Sequence, residues 1–130
     1  MKVYYDATDT ALGRIGSVVA KDLLKGKEVV VVNCGKSIIS GNKNEIIGNL
    51  THWRGLGGLG QKGPKVSRVP HMLFKRMMRG MLPWNKTKGR EAYDRLRCYT
   101  GTIDEAKDAK KIVSNKPIKF IYLSEVSKLI

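Results

Sequence analysis

The sequence predicts an α/β fold. Two observations lead there: a strand–helix–strand order at the N-terminus, and a run of four valines, Val29 to Val32, with no polar alternation. A strand whose residues are apolar on both sides is buried on both faces, the habit of a parallel strand sandwiched between helices. A third observation, an aromatic and β-branched run from Ile118 to Leu123 with Phe120 and Tyr122, predicts a late strand.

The elements follow in order. Val3 to Asp6 is short, β-branched and aromatic, and predicts the first strand. Thr8, Asp9 and Thr10 offer side-chain oxygens to cap a helix start. From Ala11 to Lys25, Leu12, Ile15, Val19 and Leu23 fall on one helical face, and Gly26 supplies a left-handed stop. After the valine strand, Gly35 and Gly41-Asn42 mark turns, with a short strand predicted at Ser37-Ile38-Ile39. Asn44 to Trp53 has helical spacing through Ile46, Ile47, Leu50 and Trp53. Between Arg54 and Gly63 the chain holds five glycines, followed by Pro64, which predicts an irregular, basic Gly-rich loop. A basic helix is expected from His71 to about Gly80, turning Met72, Leu73, Met77 and Met78 inward, and Leu82-Pro83-Trp84 ends it. A short helix is expected over Glu91 to Arg97, a strand at Cys98-Tyr99-Thr100, a polar helix over Asp104 to Ile112, and a small helix from Leu123 to Ile130 with Ser124 as its cap. With 130 residues, no internal repeat and no composition break marking a linker, residues 1–130 read as one domain.

Charge is distributed unevenly along this framework. Of the 25 Lys and Arg residues, ten lie between Ile46 and Arg90, where there is no Asp or Glu; the other 15 share the rest of the chain with all 11 acids. The ten are Arg54, Lys62, Lys65, Arg68, Lys75, Arg76, Arg79, Lys86, Lys88 and Arg90. A solvated face ordinarily mixes both signs, because like charges repel. A one-signed block suits a densely anionic partner, and phosphates release their counterions when Lys and Arg replace them. Lipid would call for an amphipathic helix, which only His71 to Gly80 partly provides. Glycines that permit close approach, the irregular stretch Trp84 to Arg90, and Trp53 and Trp84 as stacking surfaces for bases favour RNA. No DNA-reading helix with dimer symmetry is visible. The acid-bearing ends read as the fold and the segment of about 46–90 as the binding apparatus.

Other chemistries fail on spacing. Gly55-Leu56-Gly57-Gly58-Leu59-Gly60 matches a dinucleotide fingerprint literally, but a helix precedes it and no acid follows before Glu91. Val29 to Ser37 resembles a strand entering a phosphate loop, yet Val30 stands where that loop needs glycine. Cys34, His52, His71 and Cys98 lack the short paired spacing of a zinc site, and each cysteine reads as a small buried apolar residue. Asp6 and Asp9 are accounted for by helix capping. No catalytic residue, metal ligand, cofactor or small-molecule substrate is therefore expected. No apolar run approaches a membrane span, and Met1 to Asp6 lacks the apolar stretch of a secretory signal. Unpaired cysteines fit a reducing compartment, so a cytoplasmic protein is expected, and the two glycosylation-like triplets, Asn49-Leu50-Thr51 and Asn85-Lys86-Thr87, carry no meaning.

Several segments, in order and spacing, carry a resemblance. They are Asp6-Ala7, Leu12-Gly13-Arg14-Ile15-Gly16-Ser17 with Val19-Ala20, Val30-Val31-Val32-Asn33, Ile39-Ser40-Gly41-Asn42-Lys43, Arg79-Gly80-Met81-Leu82-Pro83 and Lys88-Gly89-Arg90-Glu91-Ala92-Tyr93. Over essentially its whole length the chain resembles the L-thirteen family of large-subunit ribosomal proteins, in its archaeal and eukaryotic form. The resemblance implies a three-layer α/β/α sandwich around a four-stranded, mostly parallel sheet, with the Gly-rich loop and a basic helical extension. It also implies an early-assembling, non-enzymatic constituent of the large ribosomal subunit. Its partners would be large-subunit ribosomal RNA, held by the loop from Arg54 to Arg68 and the segment from Arg79 to Arg90, and neighbouring ribosomal proteins. An RNA-binding regulator of translation acting outside the ribosome would use the same basic surface, and a nucleotide-dependent enzyme is a distant third.

Overall fold

A computed structural model describes residues 2–56, 69–102, 109–111 and 118–129. The main sheet holds four parallel strands: β1 (Lys2–Asp6), β2 (Glu28–Val32), β4 (Leu96–Cys98) and β5 (Lys110–Lys111), in the order β4-β2-β1-β5. A second, two-stranded antiparallel sheet pairs β3 (Ile38–Ser40) with β6 (Phe120–Tyr122). Five helices complete the described structure: α1 (Leu12–Leu24), α2 (Lys43–Arg54), α3 (Pro70–Arg79), α4 (Thr87–Asp94) and α5 (Leu123–Leu129).

The valine run behaves as its pattern predicts. β2 lies between β1 and β4, with Val29 opposite Val3 and Leu96, and Val31 opposite Tyr5 and Cys98. Val29 and Val31 join the main core with Ile15, Val19 and Leu23 of α1, Leu73, Phe74 and Met78 of α3, and Ala92 of α4. Val30 and Val32 pack on the opposite face with Tyr4 and Ala109. Both faces of β2 are thus dry, and burying a Val side chain is worth roughly 1.5–3 kcal/mol. Of the polar helix expected over Asp104 to Ile112, residues 104–108 and 112 lie outside the described residues.

α1 buries the predicted stripe, and Gly26, at φ 92°, turns the chain back toward β2. Its start differs from expectation. Ala11 occupies the cap position without a side-chain hydrogen bond, because the Thr8 hydroxyl donates to Asp6 Oδ1 (2.6 Å) and the Thr10 hydroxyl to the Thr8 carbonyl (3.1 Å). The carboxylates do not cap either. Asp6 accepts from the Thr8 backbone and from Asn33 Nδ2, while Asp9, at φ 55°, accepts from the Tyr122 hydroxyl at 2.9 Å. These bonds tie the β1–α1 turn to the chain following β2 and to β6. Burial pushes the Asp6 carboxyl up, but the bonds from Thr8 and Asn33, with Lys111 nearby, outweigh it and hold the group below its ordinary value.

The other departures lie in the C-terminal half. α3 buries Leu73, Phe74 and Met78 and leaves Met77 half-buried, but Met72 is exposed: the helix turns Phe74 inward at the spacing that Met72 does not share. The helix expected over Glu91–Arg97 begins earlier, at Thr87, and ends at Asp94, so that Leu96–Cys98 pairs with β2. The strand is shifted with it, and Tyr99 and Thr100 lie beyond its end. Arg95, between the two elements, donates from Nη2 to the Leu23 carbonyl (2.6 Å) and so joins the end of α4 to the end of α1. Lys110 and Lys111, expected within a helix, instead form an edge strand against Tyr5 and Asp6. Ser124 sits inside α5, following Leu123, and its carbonyl accepts from Ser127.

Candidate nucleic-acid interface

The ten cations of the acid-free block divide three ways. Lys62, Lys65 and Arg68 lie outside the described residues, as does most of the Gly-rich loop. Arg54 closes α2. The remaining six fall on two helices joined by one tight turn: Lys75, Arg76 and Arg79 on α3, and Lys86, Lys88 and Arg90 at the start of α4. The stretch from Trp84 to Arg90 is therefore not irregular throughout, because Lys88 and Arg90 belong to a helix.

The turn between these helices depends on one close approach. Gly89 lies against the Pro83 carbonyl so tightly that a Cβ built on it would stand 2.0 Å from that oxygen and 2.4 Å from its carbon. Pro83 also accepts from the Lys86 amide at 3.0 Å. No residue with a side chain fits there without moving backbone, so Gly89 fixes where Trp84 and the first turn of α4 stand relative to α3.

Each cation of α3 meets an aromatic ring. Arg79 Cζ lies 4.0 Å from the Trp84 ring centroid, Lys75 Nζ 4.6 Å from that of Tyr93, and Arg76 Cζ 5.1 Å from that of Trp53. Trp84 and Tyr93 meet edge to face, centroids 5.1 Å apart at 87°. Arg90 Nε donates to the Trp84 carbonyl at 3.0 Å. Trp53 and Trp84, expected to receive bases, thus each carry a cation of the protein over the ring. Such contacts give about 0.5–1 kcal/mol at exposed sites and restrict flexible side chains to a shared surface. Tyr93 is a member that sequence reasoning missed, since its spacing from Lys75 carries no periodic signal.

The electrostatics of this surface disfavour the free protein. Among the described residues, Lys27 Nζ and Asp22 form an ion pair at 3.9 Å, whereas none of Lys75, Arg76, Arg79, Lys86, Lys88 and Arg90 reaches a carboxylate within that range. α4 has no acid in its first turn and starts from Lys86, which provides no side-chain cap. Positive charge at a helix N-terminus opposes the helix dipole, an arrangement that an approaching anion reverses into attraction. Burial pushes the Lys75 ammonium below its ordinary value; attraction from Cys98 and, more weakly, Asp94 works against this, and repulsion from Arg97 adds to it.

The alternative chemistries do not assemble. Gly55 follows helix α2 rather than a strand, and Cys34–Lys36 form a single 3₁₀ turn after β2. Cys34 is buried with its thiol toward the Val31 carbonyl (3.6 Å), and its hydrogen bond with Cys98, together with burial, pushes its ionisation up. His71 Nδ1 is 3.1 Å from the Thr100 hydroxyl, and His52 is exposed on α2. Among the described residues no group of three or more His, Cys, Asp or Glu side chains could hold a metal ion, and no helix is long and apolar enough to cross a membrane.

Comparison with known proteins bears directly on this basic surface. The family model for ribosomal protein L13 matches residues 1–105, which include β1 through β4 and the whole acid-free block. The chain belongs to the ribosomal protein L13 family. Individual members are similar over most of the chain. It is 48% identical over 106 residues to the large ribosomal subunit protein uL13 of Methanopyrus kandleri, covering 78% of this chain and 65% of that protein. Against the uL13 proteins of Archaeoglobus fulgidus and Methanocaldococcus jannaschii, identity is 39% and 40% over 131 residues, covering 95% of this chain and 83% and 93% of theirs. As an L13-family member the chain is a ribosomal structural protein and not an enzyme. Every segment that carried the resemblance lies within the matched range.

Proposed function

We propose that this chain is a constituent of the large ribosomal subunit that binds large-subunit ribosomal RNA in the cytoplasm, supports early subunit assembly and meets neighbouring ribosomal proteins there. Residues 1–130 act as one domain, with the segment of about 46–90 as the RNA-binding part. The observation that carries this reading is the set of six cations on α3 and at the start of α4, without carboxylate partners among the described residues, three of them (Lys75, Arg76 and Arg79) held over aromatic rings. Arg54, Lys62, Lys65 and Arg68 extend the same charge along the chain. Lys and Arg supply most of the affinity through phosphates, and the fit to folded RNA supplies specificity.

The test is the salt dependence of binding to a cognate ribosomal RNA fragment. If about six cations meet phosphates, log affinity falls against log salt with a slope of roughly −4 to −5. A preference for the cognate fragment over generic RNA is expected to persist at higher salt. A slope near −1 refutes the assigned surface, and co-sedimentation with large subunits checks the assembly.

A further inference from the structure

The Arg79–Trp84 pair has a geometry that phosphate binding alone does not require. Arg79 lies over the Trp84 ring, and Trp84 is in turn braced by the Tyr93 ring edge and by Arg90 on its carbonyl. The planar guanidinium is thereby held over the indole, its carbon 4.0 Å from the ring centroid. Beside it lies a shallow, open cleft of about 490 Å³ lined by Arg76, Arg79, Leu82, Pro83, Trp84 and Asn85. Its wall is partly apolar, and Leu82, Pro83 and the Trp84 ring bring no charge to a phosphate. They do offer a surface to a ring.

We propose that Arg79 stacks an unpaired nucleobase of the bound RNA on the guanidinium face turned away from Trp84, with the adjoining cleft receiving the rest of that nucleotide. The inference rests on the RNA-binding reading and adds the class of RNA feature recognised: a bulged or looped-out nucleotide, not a continuous duplex. A guanidinium is planar, delocalised and weakly hydrated, so it stacks between two rings while its edge still donates hydrogen bonds. Arg76, facing the same cleft, is placed to meet the phosphate of that nucleotide. A duplex keeps its bases stacked and paired, and would leave the apolar wall unused. Because every base has a π-face, the subsite selects for an unstacked nucleotide more than for its identity.

The experiment uses the full chain and two RNA hairpins with the same stem, one perfectly paired and one carrying a single bulged 2-aminopurine. Stacking on Arg79 is expected to change the fluorescence of the bulged base. It is also expected to make the bulged hairpin bind about tenfold tighter than the paired one, within the usual range for one base–side-chain stack. Arg79→Lys keeps the charge and loses the plane, so the tenfold preference should collapse toward parity. Lys88→Ala should weaken binding to both hairpins and leave their ratio in place. Equal binding of the two hairpins by the unsubstituted protein overturns the subsite, as does a preference that survives in Arg79→Lys, while steeply salt-dependent binding in either case leaves the RNA-binding reading standing. If the protein binds neither hairpin nor any ribosomal RNA fragment, that reading falls and the subsite with it. Urea melts of each variant confirm that the ratios refer to folded protein.

Discussion

Replacing Gly89 by Ala tests the close approach on which the α3–α4 turn depends. A new Cβ would stand 2.0 Å from the Pro83 carbonyl oxygen and 3.0 Å from the Pro83 nitrogen. The nearest comfortable separation is more than 1 Å greater, and the obstacle is backbone, which cannot rotate away as a side-chain end can. Forcing atoms into a packed site costs roughly 1–3 kcal/mol, and a backbone obstacle belongs at the upper end of that range. Moving Pro83 also strains the bond from the Lys86 amide, a further loss of about 1 kcal/mol. Against this, Ala favours a helix interior over Gly by about 1 kcal/mol. The net expectation is a destabilisation of about 3 kcal/mol. In a urea melt with a slope of roughly 1–3 kcal/mol/M, the midpoint should fall by about 1–3 M. Gly48→Ala is the internal comparison, because that glycine sits within α2 with nothing inside 4 Å of the added Cβ. There the helix preference stands alone, and the midpoint should rise. If Gly89→Ala melts at or above the unsubstituted protein, the approach of α4 to Pro83 is not tight and the reasoning fails.

Two further outcomes depend on ionisation. The Tyr5 hydroxyl donates to Asp22, and burial, followed by that bond and the negative charge, pushes Tyr5 up to about 12 from 10.0. The unfolded chain therefore releases this proton first as pH rises, so the contribution is complete below pH 10 and is lost between about 10 and 12; Tyr5→Phe should flatten that part of a stability-versus-pH curve, and an unchanged curve counts against the assignment. Lys75 has the opposite sense: it is a base held below its ordinary value in the fold, so its charged form opposes folding at neutral pH and the penalty fades as pH rises through its folded value toward 10.5. Lys75→Met should raise the urea midpoint at pH 7 and weaken RNA binding; a lowered midpoint would show that the Tyr93 contact outweighs burial.

What the sequence made legible was what local physics decides. The stripe on α1 and the valines of β2 encode burial through a period, and both lie where that period puts them. The location of α3 and its inward Leu73 and Met78 were legible for the same reason. α4 was misplaced because a glycine three residues into a helix reads locally as a breaker, while its value here comes from Pro83 across the turn. β5 consists of two lysines, whose strand character exists only through pairing with Tyr5 and Asp6. β6 was found as a strand, but its union with β3 rather than the main sheet depends on a contact distant in sequence. The candidate interface divides in the same way. Its charges could be counted, whereas the pairing of Lys75, Arg76 and Arg79 with Tyr93, Trp53 and Trp84 depends on helices meeting in space.

The position of β4 beside β2 also has a consequence in time. A chain made from its N-terminus completes β1, α1 and β2 well before Leu96–Cys98 exists, so one side of the valine strand stays an open edge while the acid-free block is made. A bare, valine-rich edge invites pairing with another copy. The residues between Val32 and Leu96 carry 13 positive charges against three negative ones, so unfinished copies repel one another while their edges are open. The same charges that suit a phosphate-rich partner thereby guard the strand that will hold the finished sheet together.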